Sequence, residues 1–178
     1  LRRAAAELGH ADQLLFHPCD VGEPAQVEAV VRKIGEHWGG IDVLVNNAGT
    51  NIKERTIRQL TPETWDLLIR SNLDGAYYCI HAVLPQMVAR RSGSIVNVGS
   101  IAGNDGGGPG SGHYAAAKAY IHNLTRHMAK DLAPRGIRVN ALAPGVIATP
   151  FHAATPPERM EAMRKAVHLG RVGTPEDC

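Results

Sequence analysis

SIVNVGS, residues 94–100, is a short apolar run that ends on a glycine and a serine. Ile95, Val96 and Val98 are β-branched, and apolar residues point both ways along it. It therefore reads as a strand buried on both faces. Helix-period sequence precedes it. Thr61-Pro62-Glu63-Thr64 has the form of an N-cap with proline at the first helical position, opening a helix that runs to about Arg91 with a bend expected at Pro85. A glycine-rich loop, GNDGGGPGSG (103–112), follows the strand and leads into a helix from about His113 to Leu132.

The same alternation repeats outward. QLLFHPCD (13–20) reads as a strand, and in the helical run EPAQVEAVVRKIGEHWGG Val27, Val30, Val31, Ile34 and Trp38 recur at helical spacing before Gly39-Gly40 stops it. IDVLVNNAG (41–49) and IRVNALAP (137–144) read as two further strands, and residues 150–168 as one or two short helices. Strand followed by helix, repeatedly, predicts an α/β fold: a doubly wound, Rossmann-like parallel sheet with helices on both faces. Ligands of such sheets bind outside the carboxyl ends of the strands. Those ends present Asp20, the NNAG turn (Asn46, Asn47, Ala48, Gly49), Gly99-Ser100 and Pro144-Gly145.

Bulk composition narrows the function. The 178 residues carry a net charge of +2 with no basic or acidic block, and only 4% are aromatic. A nucleic-acid surface is not expected. No apolar run approaches ~18 residues, so no membrane span is expected. Three cysteines at wide spacing form no CxxC, and the nine histidines form no HExxH. The reading is of a cytoplasmic protein without a disulfide framework or metal site. His122 and His127 are five apart and do not share a helix face; structural or solvent-exposed roles are expected of them.

HYAAAKAY (113–120) holds the chemistry. Tyr114 and Lys118, at i and i+4, lie on one helix face. A phenol titrates near pH ~10, and a neighbouring ammonium favours phenolate. Such a pair suits proton exchange with an alcohol or ketone. Ser100 stands at a strand end across the glycine-rich loop, where its hydroxyl and the phenol can converge on one carbonyl oxygen.

In this combination the chain resembles the short-chain dehydrogenase/reductase family in its compact, single-domain branch, most of all the 3-oxoacyl-(acyl carrier protein) reductases and glucose-type dehydrogenases. HPCDV (17–21), NNAG (46–49), Asn72 in IRSNLDGAYY, SIVNVGS, YAAAK (114–118) and RVNALAPGVIAT (138–149) carry the likeness, in the family's order and nearly its spacing. The resemblance implies hydride transfer between NAD or NADP and a ketone or secondary alcohol. Tyr114 would be the general acid or base. Lys118 would lower its pKa and hold the nicotinamide ribose. Ser100 would bind the substrate oxygen, and Asn72 would hold a water relaying protons to Lys118. Asp20 and Val21 would lie by the adenine, and Asn47, Ala48 and Gly49 by its ribose. Pro144, Gly145, Ile147 and Thr149 would flank the nicotinamide. The 150–168 segment would be a flap, with Phe151, His152, Met160 and Met163 toward the substrate. Relatives assemble through the helices at 62–91 and 113–132, so a homo-oligomer, dimer or tetramer, is implied.

Two departures stand beside the likeness. No GxxxGxG phosphate loop occurs, and the acidic or basic residue that selects NAD or NADP is not found. Residues 1–178 therefore read as a single, incomplete domain of a longer enzyme, lacking its first strands and its last. The Ser100-to-Tyr114 gap is also one residue longer than the family's usual spacing. Sugar-nucleotide epimerases and dehydratases share YxxxK, but NNAG argues against them. The remaining alternative is a cofactor-free fragment serving as a binding or dimerisation module.

Overall fold

The computed structural model describes residues 13–52, 56–152 and 155–178. Three strands, β1 (Val43–Asn46), β2 (Gly93–Val98) and β3 (Ile137–Leu142), form a parallel sheet in the order β1-β2-β3. The register pairs Leu44 with Ile95 and Ile95 with Val139. Helix α1 (Pro24–Trp38) precedes β1 and ends on Gly39, whose φ of 78° places it in the left-handed region that glycine enters without strain. The expected N-cap is present. Thr61 starts α2 (Pro62–Ile69) by accepting from the Thr64 N–H, while Thr64 Oγ1 reciprocates.

The rod that follows is interrupted earlier than expected. Residues Arg70–Asp74 form a π turn, and α3 (Gly75–Arg90) continues beyond it with Pro85 carried inside. Such a turn carries one extra residue per hydrogen-bonded ring and marks functional sites in many proteins. After β2 come a short helix, α4 (Ala102–Asp105), the long α5 (Gly112–Leu132), and, past β3, α6 (Pro157–Ala166).

Ile80, Val83 and Met87 of α3 and Met128 and Leu132 of α5 close over Ile95, Ile137 and Val139 in one core, with Val31 of α1 packed against it. The long helices described therefore share one face of the sheet. On the other face Val43 and Val45 are each 56% exposed, and Arg138 and Asn140 face outward. The parallel layering and the Rossmann-like plan match the sequence reading, and the long helices described lie on one face of this three-stranded part of the sheet. Strand order supplies the reason. Crossovers of a single hand that always step in the same direction place every connecting helix on the same face.

QLLFHPCD also departs from expectation. Among the described residues, 13–20 contain no strand. The segment is held by α1 instead: Lys33 Nζ donates to His17 Nε2 at 2.8 Å and Asp20 N–H donates to Gln26 Oε1 at 3.0 Å.

Candidate active site

The carboxyl end of β2 is the centre of the site. Backbone pairing runs past the strand, with Gly99 N–H donating to Leu142 at 2.7 Å and Ile101 N–H to Pro144 at 3.0 Å. Helix α5 passes over this end. Its small residues Ala115 and Ala117 are buried, and Gly103 of α4 lies against its backbone, where a Cβ would stand 2.8 Å from Ala119 N. From the same helix Lys118, only 5% exposed, sends its ammonium to the Val98 carbonyl at 2.8 Å. Tyr114 stands one turn earlier, with the ammonium 5.7 Å from its ring centre. Its phenol meets the Ser100 side chain. Ser100 thus acts on the phenol across the loop between them.

Burial lowers the Lys118 ammonium to about 8. Burial also raises the Tyr114 phenol above its ordinary range, and hydrogen bonding by Ser100 opposes part of that rise. The sequence led to a phenol lowered by Lys118. The structure corrects this, because desolvation is the larger effect and Ser100 supplies the lowering.

Asn72 lies inside the π turn and is 2% exposed. Its Nδ2 donates to Leu68 O at 2.9 Å and Thr50 O at 2.8 Å, and its Oδ1 accepts from Thr50 N–H at 3.2 Å. The extra residue of the turn swings this amide toward the NNAG loop. Gly49 then passes so close that a Cβ there would stand 2.8 Å from Asn72 Oδ1 and 3.6 Å from Lys118 Nζ. Asn72, Gly49 and Lys118 thus meet at one point. Asn46 points elsewhere, with its Nδ2 donating to Asn97 Oδ1 within the sheet at 2.9 Å.

Asp20 and Val21 open a tight turn ahead of α1. Asp20 Oδ1 accepts from Gly22 N–H at 2.9 Å. Val21 packs on Gly75, where a Cβ would fall 2.6 Å from Val21 Cγ2. Arg70, from the same π turn as Asn72, bonds the Gly22 carbonyl at 3.2 Å and pairs with Glu23. On the other side, Gly145 has open space where a side chain would be. Ile147 bridges Gly173, with Ala148 N–H donating to Gly173 O at 2.8 Å. Thr149 begins the turn at Pro150–His152 by its carbonyl accepting from His152 N–H at 3.0 Å. Phe151, 49% exposed, sets its ring centre 5.9 Å from that of Tyr114, and Arg159 of α6 reaches the Pro109 carbonyl at 3.1 Å. Met160 and Met163 are half-buried on α6.

Sequence reading missed several members. His122 is buried, and its Nε2 accepts from Ser100 N–H at 3.3 Å. Its spacing of four from Lys118 was the available signal. Asn97, fully buried in β2, links Asn46 to Thr125 Oγ1 at 2.9 Å. No group of three or more His, Cys, Asp or Glu able to hold a metal occurs among the described residues.

A family model described as Enoyl-(Acyl carrier protein) reductase matches residues 1–178. The chain belongs to the short-chain dehydrogenase/reductase family. The 3-oxoacyl-[acyl-carrier-protein] reductase FabG of Thermotoga maritima is 42% identical over 158 residues, which are 89% of this chain and 63% of that protein. The chain thus spans less than two thirds of the length of the curated relatives it matches. Among solved structures, the 3-oxoacyl-[acyl-carrier protein] reductase of Brucella melitensis superimposes with a TM-score of 0.86 at 35% identity, over 98% of this chain and 66% of that one. A gluconate 5-dehydrogenase from Burkholderia cenocepacia, in complex with NADP and tartrate, gives a TM-score of 0.82 at 35% identity, over 88% and 61%.

Proposed function

We propose that this short-chain dehydrogenase/reductase chain carries the catalytic centre of an NAD(P)-dependent oxidoreductase acting on a ketone or secondary alcohol. The observation that carries the reading is the meeting of Ser100 and Tyr114 at the end of a parallel strand, with the Lys118 ammonium one helical turn behind. Two hydroxyls so placed bind one carbonyl oxygen, and the phenol delivers the proton as that oxygen gains charge. A phenol is protonated at neutral pH, and burial moves Tyr114 further that way, so its hydroxyl has a proton to give when a carbonyl is reduced.

The residues fit a nicotinamide cofactor. The open space at Gly145 leaves room for a flat ring, and Lys118 supplies a cation beside the Gly49 turn. When bound, NAD or NADP supplies or accepts the hydride. Asp20 and Val21 would hold its adenine, Asn47, Ala48 and Gly49 the neighbouring ribose, and Lys118 and Tyr114 the nicotinamide ribose. Pro144, Gly145, Ile147 and Thr149 would face the nicotinamide. Asn72 would fix the Gly49 turn and serve the proton route to Lys118.

The substrate is a small carbonyl compound or alcohol, reached under the Phe151 flap. A second copy of the chain is the proposed partner, supported by the exposed Trp65, Leu67, Tyr77 and Tyr120 on α2, α3 and α5. We place the protein in the cytoplasm. No helix among the described residues is long and apolar enough to cross a membrane.

The test is nucleotide oxidation by the intact protein with NADH and NADPH and a panel of β-keto esters and keto acids. Turnover with one nucleotide is expected, and Tyr114→Phe should cut kcat by about 10²–10⁴-fold. Turnover that survives this substitution would refute the assignment. A protein that answers neither nucleotide would instead be a binding or dimerisation module.

A further inference from the structure

His122 offers two ring nitrogens to two different partners. A backbone N–H can only donate, so Nε2 must present its lone pair to Ser100 N–H at 3.3 Å. The ring proton then sits on Nδ1 and is donated to Asn104 Oδ1 at 3.1 Å. The imidazole is neutral and of one tautomer. The ring is seated by two glycines: a Cβ on Gly99 would lie 2.1 Å from Nε2, and one on Gly103 would lie 3.0 Å from Cε1. The other bonds of Ser100 are to the turn that follows it, its Oγ accepting from Ala102 N–H at 3.2 Å and its carbonyl from Gly103 N–H at 3.0 Å, so His122 is what ties it to α5.

We propose that neutral His122 is a positioning residue for Ser100, and that its protonation in mild acid releases Ser100 from Tyr114 and sets an acid limit on turnover. The inference rests on the catalytic reading above. An imidazolium would turn a second N–H against the Ser100 N–H and lose the acceptor. The groups around the ring favour the neutral form. Lys118 and Arg126 flank it on α5, both positive. Asn104 faces it from α4, where the carboxylate of Asp105 turns away to accept from Gly107 N–H at 2.8 Å. From the end of β2 it meets Ser100 backbone, with the protonated Tyr114 phenol beyond. Burial and the two cations keep its pKa below the ordinary histidine value.

The test follows the Ser100 amide and the His122 ring by NMR in the intact protein from about pH 7.5 to about pH 4.5. Both should report one shared titration below the ordinary value of about 6.5. In His122→Gln the side-chain oxygen accepts from Ser100 and the amide donates to Asn104 without titrating. The Ser100 signal should then be flat, and the acid limb of kcat should move to lower pH. His122→Phe should lower kcat by about 10-fold or more at pH 7.5 with cofactor KM changed less than about twofold, and Gln should recover most of that loss. A Ser100 amide that ignores the His122 titration, or an unchanged acid limb in His122→Gln, would overturn the proposal. The wild-type titration needs no variant to fold. It also reads independently of turnover, so failure of the oxidoreductase reading is seen separately through Tyr114→Phe.

Discussion

A methyl group on Gly49 would stand 2.8 Å from Asn72 Oδ1, so the turn after β1 and the π turn between α2 and α3 fit each other only where a side chain is missing. The amide of Asn72 is already committed to Thr50 and Leu68 and cannot swing aside without breaking those bonds.

Gly49→Ala should therefore destabilise the fold by about 1–3 kcal/mol, the usual cost of overpacking. Urea denaturation measures it. Combined with Asn72→Ala, the loss should be less than the sum of the two single losses, because the second change removes the atom that the first strikes. Strict additivity would show that the two residues do not meet.

Lys118 should cost stability at neutral pH. Its ammonium titrates at about 8 in the folded chain, against 10.5 for the exposed side chain. Between these values the unfolded chain holds a proton that the folded chain has lost, so wild-type stability rises with pH across that window. Below it, Lys118→Met should be more stable than wild type by about 1–3 kcal/mol, less than the full pKa difference because Val98 O loses its donor. The gain should vanish near the upper value. Equal gains at pH about 7 and about 10.5 would contradict the buried ammonium.

Ultraviolet difference titration of wild type against Tyr114→Phe isolates one phenol. It should ionise above the ordinary tyrosine value of about 10 in the protein without nucleotide. Ser100→Ala removes the hydrogen bond that favours phenolate, so the titration should move higher still. An unmoved titration would mean that Ser100 does not reach Tyr114.

Asn97→Leu should be costly, by about 2–4 kcal/mol, since it strands Asn46 Nδ2 and removes a donor from Thr125. Thr125→Val should cost less, as the Asn46–Asn97 bond survives it. Thermal denaturation of the two variants ranks them, and the reverse order would place the weight of the network on the helix side.

Much of this was legible in the residues. Periodicity located the helices to within a few positions, and the Tyr114–Lys118 spacing put both side chains on the face that meets the strand end. What escaped was tertiary. The side of the sheet taken by each helix depends on strand order, which no local pattern encodes. The segment at 13–20 has strand composition, yet its neighbour in space is α1. One partner of His122 is a backbone N–H, which side-chain identity does not reveal. Asn97 sits amid apolar neighbours, and its meaning appears only once Asn46 and Thr125 are seen on either side. The phenol's direction was misread because burial cannot be weighed from spacing alone.

The bond between Asn46 and Asn97 joins residues 51 apart in the chain. Local helical turns form long before so distant a loop can close. The amide pair is thus satisfied only when β1 and β2 have come together in one alignment. A slip of a single residue would turn Asn97 toward the opposite face and take from Asn46 and Thr125 the bonds they share with it. The interior amides act as an error check during folding, making a misaligned sheet too unfavourable to persist.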